Sequence, residues 1–274
     1  MSKTVSGISD LPLDNWRDYD DILVNSLWVI NSRDKSGEHD GHYHGNFIPQ
    51  IPNQFIRRYT AAGDCILDGF LGSGTSLIEA KRLGRSGIGI ELLPEVAKVS
   101  EEAINRETAA KGFGFSKVVV GDSCDKSIYD TISNTLREQN RESVEFLIFH
   151  PPYHDIIRFS ENEKDMSNTK SVDEFVKDFG KVIMNYEPFL KVKYYMAIVI
   201  GDKYANSELV PLGSMLMEET KRTAPNMRLK SVIVKNMANS RAVGKNTNLW
   251  RYRALAGGFY QFGHEYIYLF QKVK

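Results

Sequence analysis

"ILDGFLGSGTSLIEA", residues 66–80, passes from an apolar run through a glycine-rich turn into a helical pattern. Gly72 and Gly74 let the backbone approach a ligand closely, and the helix start near Ser73–Ser76 offers free N–H groups. Working outward, short β-rich runs recur at 65–68, 87–91, 117–121, 144–149, 194–201, 229–235 and 265–271. Helical patterns lie between them, at Ser73–Leu83, Pro94–Lys111, Asp125–Gln139, Val172–Leu190 and Glu208–Thr223. Pro94 suits a helix first turn, where its missing donor is not needed. This alternation predicts an α/β fold: a mostly parallel sheet with helices on both faces. The last two runs are joined without a helix, which predicts an antiparallel strand at the sheet edge. Residues 1–50, 154–171 and 236–262 fit neither pattern, and in α/β folds loops at strand ends commonly carry function.

Composition sets the class. The 274 residues are 42% hydrophobic and 26% charged, ordinary values for a soluble globular protein. No run approaches eighteen apolar residues, and the first ten residues lack a secretory apolar core. Cys65 and Cys124 are too few for a disulfide framework, so they read as buried reduced thiols in a cytoplasmic protein. Net charge is zero, but its distribution is uneven. From Lys221 to Arg253 there are nine basic residues and no acid, a candidate phosphate-binding surface.

Three cofactors compete for the glycine-rich turn. A triphosphate loop ends in Gly-Lys-Ser/Thr, whereas this one reads Gly74-Thr75-Ser76 without lysine. A dinucleotide fingerprint needs a third glycine where Leu77 stands. S-adenosylmethionine needs close approach but no phosphate cradle. Acids support it: Glu91 ends the second run where it can take both ribose hydroxyls, Asp122 follows the third near an adenine ring, and Asp68 is placed to hold an ammonium group.

A second motif, "HPPY" (His150, Pro151, Pro152, Tyr153), ends the run 144–149. Two prolines remove two donors and hold the chain extended, so backbone carbonyls face outward. A planar amine can donate to the Pro151 carbonyl and to His150 while Tyr153 stacks on its face. Such an amine is a poor nucleophile until its protons are held. The work at this corner is therefore positioning and electrostatics.

In order and wording the chain resembles the amino-methyltransferases that make N6-methyladenine or N4-methylcytosine in DNA. "LDGFLGSGTS" resembles their Asp-Pro-Phe-x-Gly-Ser-Gly-Thr motif, and "HPPY" their Asp/Asn/Ser-Pro-Pro-Tyr. "HGNFIPQIPNQFIRRYT" (44–60) is similar to the segment before their first strand, and "FGHEYIYLFQK" (262–272) to their closing strand. The resemblance covers roughly residues 42–274. It implies a Rossmann-like seven-strand methyltransferase sheet, S-adenosylmethionine as methyl donor, and a base flipped out of the duplex, for which DNA methyltransferases are a standing example. It also implies cofactor contacts from Asn46, Phe47, Pro49, Asp68, Gly69, Phe70, Gly72, Ser73, Gly74, Thr75, Glu91, Leu92, Asp122, Ser123 and His150. Residues 1–50 then wall the cofactor site, 51–274 form the catalytic domain, and 154–171 and 236–262 are target-recognition loops.

Two positions depart from the family pattern. Gly69 stands where proline is usual. His150 replaces Asp, Asn or Ser, and a neutral imidazole keeps one acceptor nitrogen for the amine. Transfer is accordingly expected to fall as pH drops through about 6.5, the unperturbed histidine value. The unusual residue leaves the base open, with adenine N6 favoured over cytosine N4.

Arg158, Arg241, Lys245, Trp250, Arg251 and Arg253 are the candidate nucleic-acid contacts, through phosphates and stacking. His39, His42 and His44 have conceivable metal spacing, but methyl transfer needs no metal and none is expected. The expected partners are double-stranded DNA, a cognate restriction nuclease and a second copy of the chain, with no membrane. The alternatives are an RNA base or a protein glutamine amide as acceptor, or a relative that binds nucleic acid without turnover.

Overall fold

The structure, a computed structural model, describes residues 7–41, 43, 45–237 and 247–274. Its strands are β1 (Leu27–Trp28), β2 (Cys65–Asp68), β3 (Ser86–Glu91), β4 (Ser116–Val120), β5 (Val144–Phe149), β6 (Leu190–Ile200), β7 (Lys203–Ala205), β8 (Glu208–Val210), β9 (Met227–Asn236) and β10 (His264–Lys272). Its helices are α1 (Gln50–Tyr59), α2 (Thr75–Arg82), α3 (Pro94–Arg106), α4 (Ser127–Glu138), α5 (Val172–Tyr186), α6 (Leu212–Thr223) and α7 (Thr247–Gly257).

Eight strands form one sheet in the order β1-β9-β10-β6-β5-β2-β3-β4, and β7 and β8 make a separate hairpin. Strands β2, β3 and β5 are buried along their whole length, which is why they are built mostly of apolar residues and glycine, with polar residues only in their first or last two positions. Successive residues feed opposite layers. Leu67, Leu147 and Phe149 pack with α4, α5 and α6, whereas Ile66, Phe146 and Ile148 pack with α1, α2 and α3. Pro94 opens α3, and the Ser171 hydroxyl caps α5 by accepting from the Glu174 N–H.

The sheet differs from expectation in two ways. Its antiparallel strand, β10, lies inside the sheet, paired with β6 on one side and β9 on the other. The α6 crossover carries the chain one strand position too far, and β10 returns antiparallel into the gap. An eighth strand, β1, joins the far edge by pairing parallel to β9. Its two residues are too short to leave a periodicity.

Local differences have local causes. Residues 208–210, expected as the start of a helix, pair with 203–205, and α6 begins only after Pro211. α5 stops at Tyr186 because Pro188 interrupts it, leaving a single 3-10 turn over Glu187–Phe189 before β6. The stretch 236–262, read as irregular, holds α7. Cys65 is buried as expected, whereas Cys124 is only half-buried. Among the described residues, no helix is long and apolar enough to cross a membrane.

Candidate active site

Parallel strands bring their carboxyl ends to one edge, so the segments after β2, β3, β4 and β5 converge there. They wall a cavity of about 1070 Å³. Of the residues marked by the sequence, Asn46, Phe47, Gly69, Phe70, Gly72, Thr75, Glu91, Leu92, Asp122, Ser123, His150, Pro151, Pro152 and Tyr153 all line it. Pro49, Asp68, Ser73 and Gly74 lie behind this wall.

Behind the wall, Asp68 braces the turn. One oxygen accepts from the Phe70 N–H at 2.8 Å and the other from the Ser76 hydroxyl. It is 1% exposed, and burial pushes its carboxyl up to about 6. Asp68 thus grips the chain itself, and it is not among the residues lining the cavity where an ammonium group is expected. Gly74, at φ +84°, starts α2 in the left-handed region, a conformation that glycine adopts without strain. Ser73 accepts at 2.8 Å from the Asn46 amide, which also donates to the Asp40 carbonyl. Asn46 thus ties the amino-terminal segment to the turn.

Glu91 accepts from the Gly72 and Leu93 N–H groups, both at 2.9 Å, and burial raises its carboxyl. Each oxygen keeps lone pairs for a ligand. Asp122 accepts from the Cys124 N–H at 2.9 Å. Ser123 donates to the Gly69 carbonyl at 2.6 Å and lies 2.5 Å from the Tyr186 hydroxyl, locking the turn after β4 against the turn after β2.

His150 closes the other side. Its ring packs on Phe47 with centroids 5.0 Å apart, and its Nε2 lies 3.2 Å from the Tyr153 hydroxyl. Burial pulls its pKa down to about 4, with the Lys235 cation acting in the same direction and Glu265 opposing. The imidazole is therefore neutral throughout the physiological range. Protonation of His150 is therefore placed near 4 instead of the ordinary 6.5. Tyr153 donates to Glu265 Oε2 at 2.8 Å, and Lys235 donates to Glu265 Oε1 at 2.9 Å. Gly201 leaves room for the tyrosine ring; a Cβ there would sit 2.7 Å from its Cε2.

The mouth is built from the amino-terminal segment and the loop after Tyr153. Tyr43 stacks on Phe159, centroids 6.4 Å apart, and Gly45 (φ +86°) lies under the same ring. Ile156 and Ile157, 51% and 39% exposed, give the lip an apolar face. The loop is anchored by His154, which takes φ +54°. Its Nδ1 lies 2.5 Å from the buried Lys203 amine, which also reaches Asp155 at 2.5 Å, and its Nε2 lies 3.1 Å from the Thr169 carbonyl. Non-glycine residues in this region are uncommon, and they cluster where surrounding contacts over-determine the backbone.

The candidate nucleic-acid residues are scattered. Arg158 is held within its own loop by Asn168, Ser160 and Glu161. Trp250, Arg251 and Arg253 share α7, where Arg253 sits over the Trp250 ring at 5.3 Å. None of these four lines the cavity. Arg241 and Lys245 lie outside the described residues, as do His42 and His44. His39 Nε2 is 2.7 Å from Glu79 Oε1, on the cavity wall. Sequence reasoning missed Lys235, Glu265, Lys203 and His154. All but His154 sit far along the chain from the corner they serve, and no local pattern marks them.

The comparisons agree with this geometry. Residues 9–102 match the N6/N4-type family described as DNA methylase. The chain is 25% identical over 167 residues to the type II methyltransferase M.MjaII of Methanocaldococcus jannaschii, covering 61% of this chain and 23% of that one. It is 48% identical over 67 residues to the type II methyltransferase M2.DpnII of Streptococcus pneumoniae, covering 23% of this chain and 25% of that one. The aligned segments thus span about a quarter of these relatives' length. Among solved structures, TrmN from Thermus thermophilus shares the fold, with a TM-score of 0.51 and 13% identity over 84% of this chain and 50% of that one. With the family match over the amino-terminal segment and the glycine-rich turn, and Pro-Pro-Tyr at the end of β5, the chain is similar to the N6/N4-type DNA methylases.

Proposed function

We propose that this protein transfers a methyl group from S-adenosylmethionine to the exocyclic amino group of a base flipped out of duplex DNA, with adenine N6 favoured over cytosine N4. The observation that carries the reading is a neutral His150 beside Pro151, Pro152 and Tyr153, in the same cavity as Glu91 and Asp122. The cavity suits a nucleoside without phosphates: carboxylates at the ends of β3 and β4 offer acceptors to a ribose diol and an adenine amine. The N–H of Gly72, which a phosphate would need, is already taken by Glu91. Glu91, Asp122, Phe70 and Leu92 would hold the nucleoside half. When bound, the cofactor supplies an electrophilic methyl on a sulfonium that leaves without needing a strong base.

The chain's own residues do the rest. His150 accepts one proton of the amine in a hydrogen bond and the Pro151 carbonyl the other, drawing the nitrogen lone pair out of the ring. As the N–C bond would form and the S–C bond break to leave a neutral thioether, the cationic amine would release one proton past His150 to solvent. Tyr153 stacks on the base, and Ile156, Ile157 and Phe159 cover it and keep water out. Holding the two reactants in line accounts for most of the rate gain in such a reaction. The cations of α7 and of residues 241–245 take backbone phosphates, and a cognate restriction nuclease is a proposed companion.

Calorimetry with S-adenosylmethionine, ATP and NAD separates the cofactor readings, and the first alone is expected to bind. Labelled-methyl transfer with duplex DNA and RNA in competition then tests the acceptor. Label entering RNA or protein while DNA stays unlabelled overturns the reading.

A further inference from the structure

The Lys235–Glu265–Tyr153–His150 chain fixes where every proton lies. Lys235 is a cation with its side chain 7% exposed, and Glu265, 9% exposed, faces it at 2.9 Å. A carboxylate in that ion pair is acceptor-only, so the hydrogen bond between Glu265 Oε2 and Tyr153 uses the single phenolic proton. The Tyr153 oxygen then has only lone pairs to offer His150, and the 3.2 Å contact must be donated by His150 Nε2–H. A neutral imidazole that donates from Nε2 accepts from Nδ1.

We propose that Lys235 and Glu265 are positioning residues: acting through Tyr153, they lock His150 as the Nε2–H tautomer and reserve Nδ1 as the ring's one acceptor for the target amine. They reach the corner from β9 and β10, outside the motif that marks it. The wrong tautomer at a catalytic histidine is costly even when its geometry is kept. The same chain holds the Tyr153 ring in place for stacking.

The proposal predicts an unusual result for an isosteric change. In Glu265→Gln, the amide oxygen must face the Lys235 cation, which turns its NH2 toward Tyr153. The tyrosine then donates to His150 Nε2, and the imidazole proton moves to Nδ1. Shape is kept while the direction of the whole chain reverses. Adding Lys235→Met frees the amide to turn round and restores the original direction.

The test is long-range proton–nitrogen NMR on protein labelled with 15N-histidine, His150 being assigned by its loss in His150→Asn. The wild type is expected as the Nε2–H tautomer, Glu265→Gln as Nδ1–H, and the Lys235→Met/Glu265→Gln pair as Nε2–H again. An Nδ1–H wild type, or a Glu265→Gln protein with unchanged tautomer, overturns the proposal. If Glu265→Gln does not fold, Tyr153→Phe replaces it, with a mixture of tautomers expected and an unchanged single tautomer contradicting. The catalytic consequence rests on the proposed methyl transfer: kcat falls by roughly 10²-fold or more in Glu265→Gln, with cofactor affinity unchanged, and recovers in the double variant. The tautomer is read without substrate. A correct tautomer in a protein that transfers no methyl to DNA overturns the functional reading and leaves the lock standing.

Discussion

The turn after β2 and the corner after β5 sit at neighbouring strand ends, yet they are held in opposite ways. At the turn, polar side chains close on backbone near to them. Asp68 takes the Phe70 N–H two residues on, and Glu91 takes the Leu93 N–H two residues on and Gly72 across the turn. At the corner, His150 contacts Tyr153, which donates to Glu265, more than a hundred residues downstream. A region stabilised by its own sequence serves as a fixed floor. One stabilised from elsewhere can have its proton inventory set independently of its shape. The proposed tautomer lock would let a histidine serve at a position where the family this chain resembles usually has Asp, Asn or Ser. Under the proposed lock, the corner would supply its acceptor by holding one tautomer of a neutral ring.

Substitutions can break this contrast. The largest effect is expected at His150: replacement by Ala should lower single-turnover transfer by about 10³-fold, within the range for a positioned proton-handling group. Asn, which keeps a carbonyl acceptor, should retain part of the rate. Rates measured at saturating cofactor would check both, and equal losses for Ala and Asn would remove the acceptor role.

At the turn the effect should appear in stability. The Asp68 carboxyl rises on folding from 3.8 to about 6, so the folded state binds its proton more tightly than the unfolded chain does. The sign follows: ionisation of Asp68 opposes folding above about pH 6, and that opposition fades as pH falls toward 4. Asp68→Asn can keep both hydrogen bonds with no such titration. Relative to this variant, the wild type should gain about 2 kcal/mol between pH 7 and pH 4, read by denaturant unfolding. A constant difference across that range would contradict the burial of a titrating acid.

Smaller effects sharpen the contrast further. Gly201→Ala places a methyl against Tyr153 and should cut transfer by about 10-fold while cofactor binding holds. The rate profile should be flat between pH 7.5 and 5.5, because His150 becomes protonated only near pH 4. A fall of about tenfold per pH unit in that window, the limit for losing one required neutral group, would restore the ordinary histidine value. Finally, Arg251→Ala and Arg253→Ala should each weaken duplex binding and reduce the salt slope by about 0.9, one phosphate contact apiece.

The same contrast marks what the sequence could reveal. "ILDGFLGSGTSLIEA" is legible because its glycines, its acid and its helix start act within fifteen consecutive residues. Glu91 and Asp122 were legible because a parallel sheet repeats its strand ends on one edge. The two-residue β1 carries no period to read, and the insertion of β10 inside the sheet depends on a crossover length that no local pattern encodes. Lys235 and Glu265 look like ordinary strand-end charges until the fold brings them to Tyr153. The lowered pKa of His150 is illegible in sequence for the same reason: burial against Phe47 and the distant Lys235 cation are properties of the packed corner.

The most direct measurement is to incubate wild-type protein and His150→Ala in parallel with mixed-sequence duplex DNA and methyl-labelled S-adenosylmethionine, digest to nucleosides, and identify the labelled species by mass spectrometry. The account predicts label in N6-methyladenine or N4-methylcytosine with the wild type and almost none with His150→Ala. Label at a ring carbon, or equal labelling by the two proteins, would contradict it.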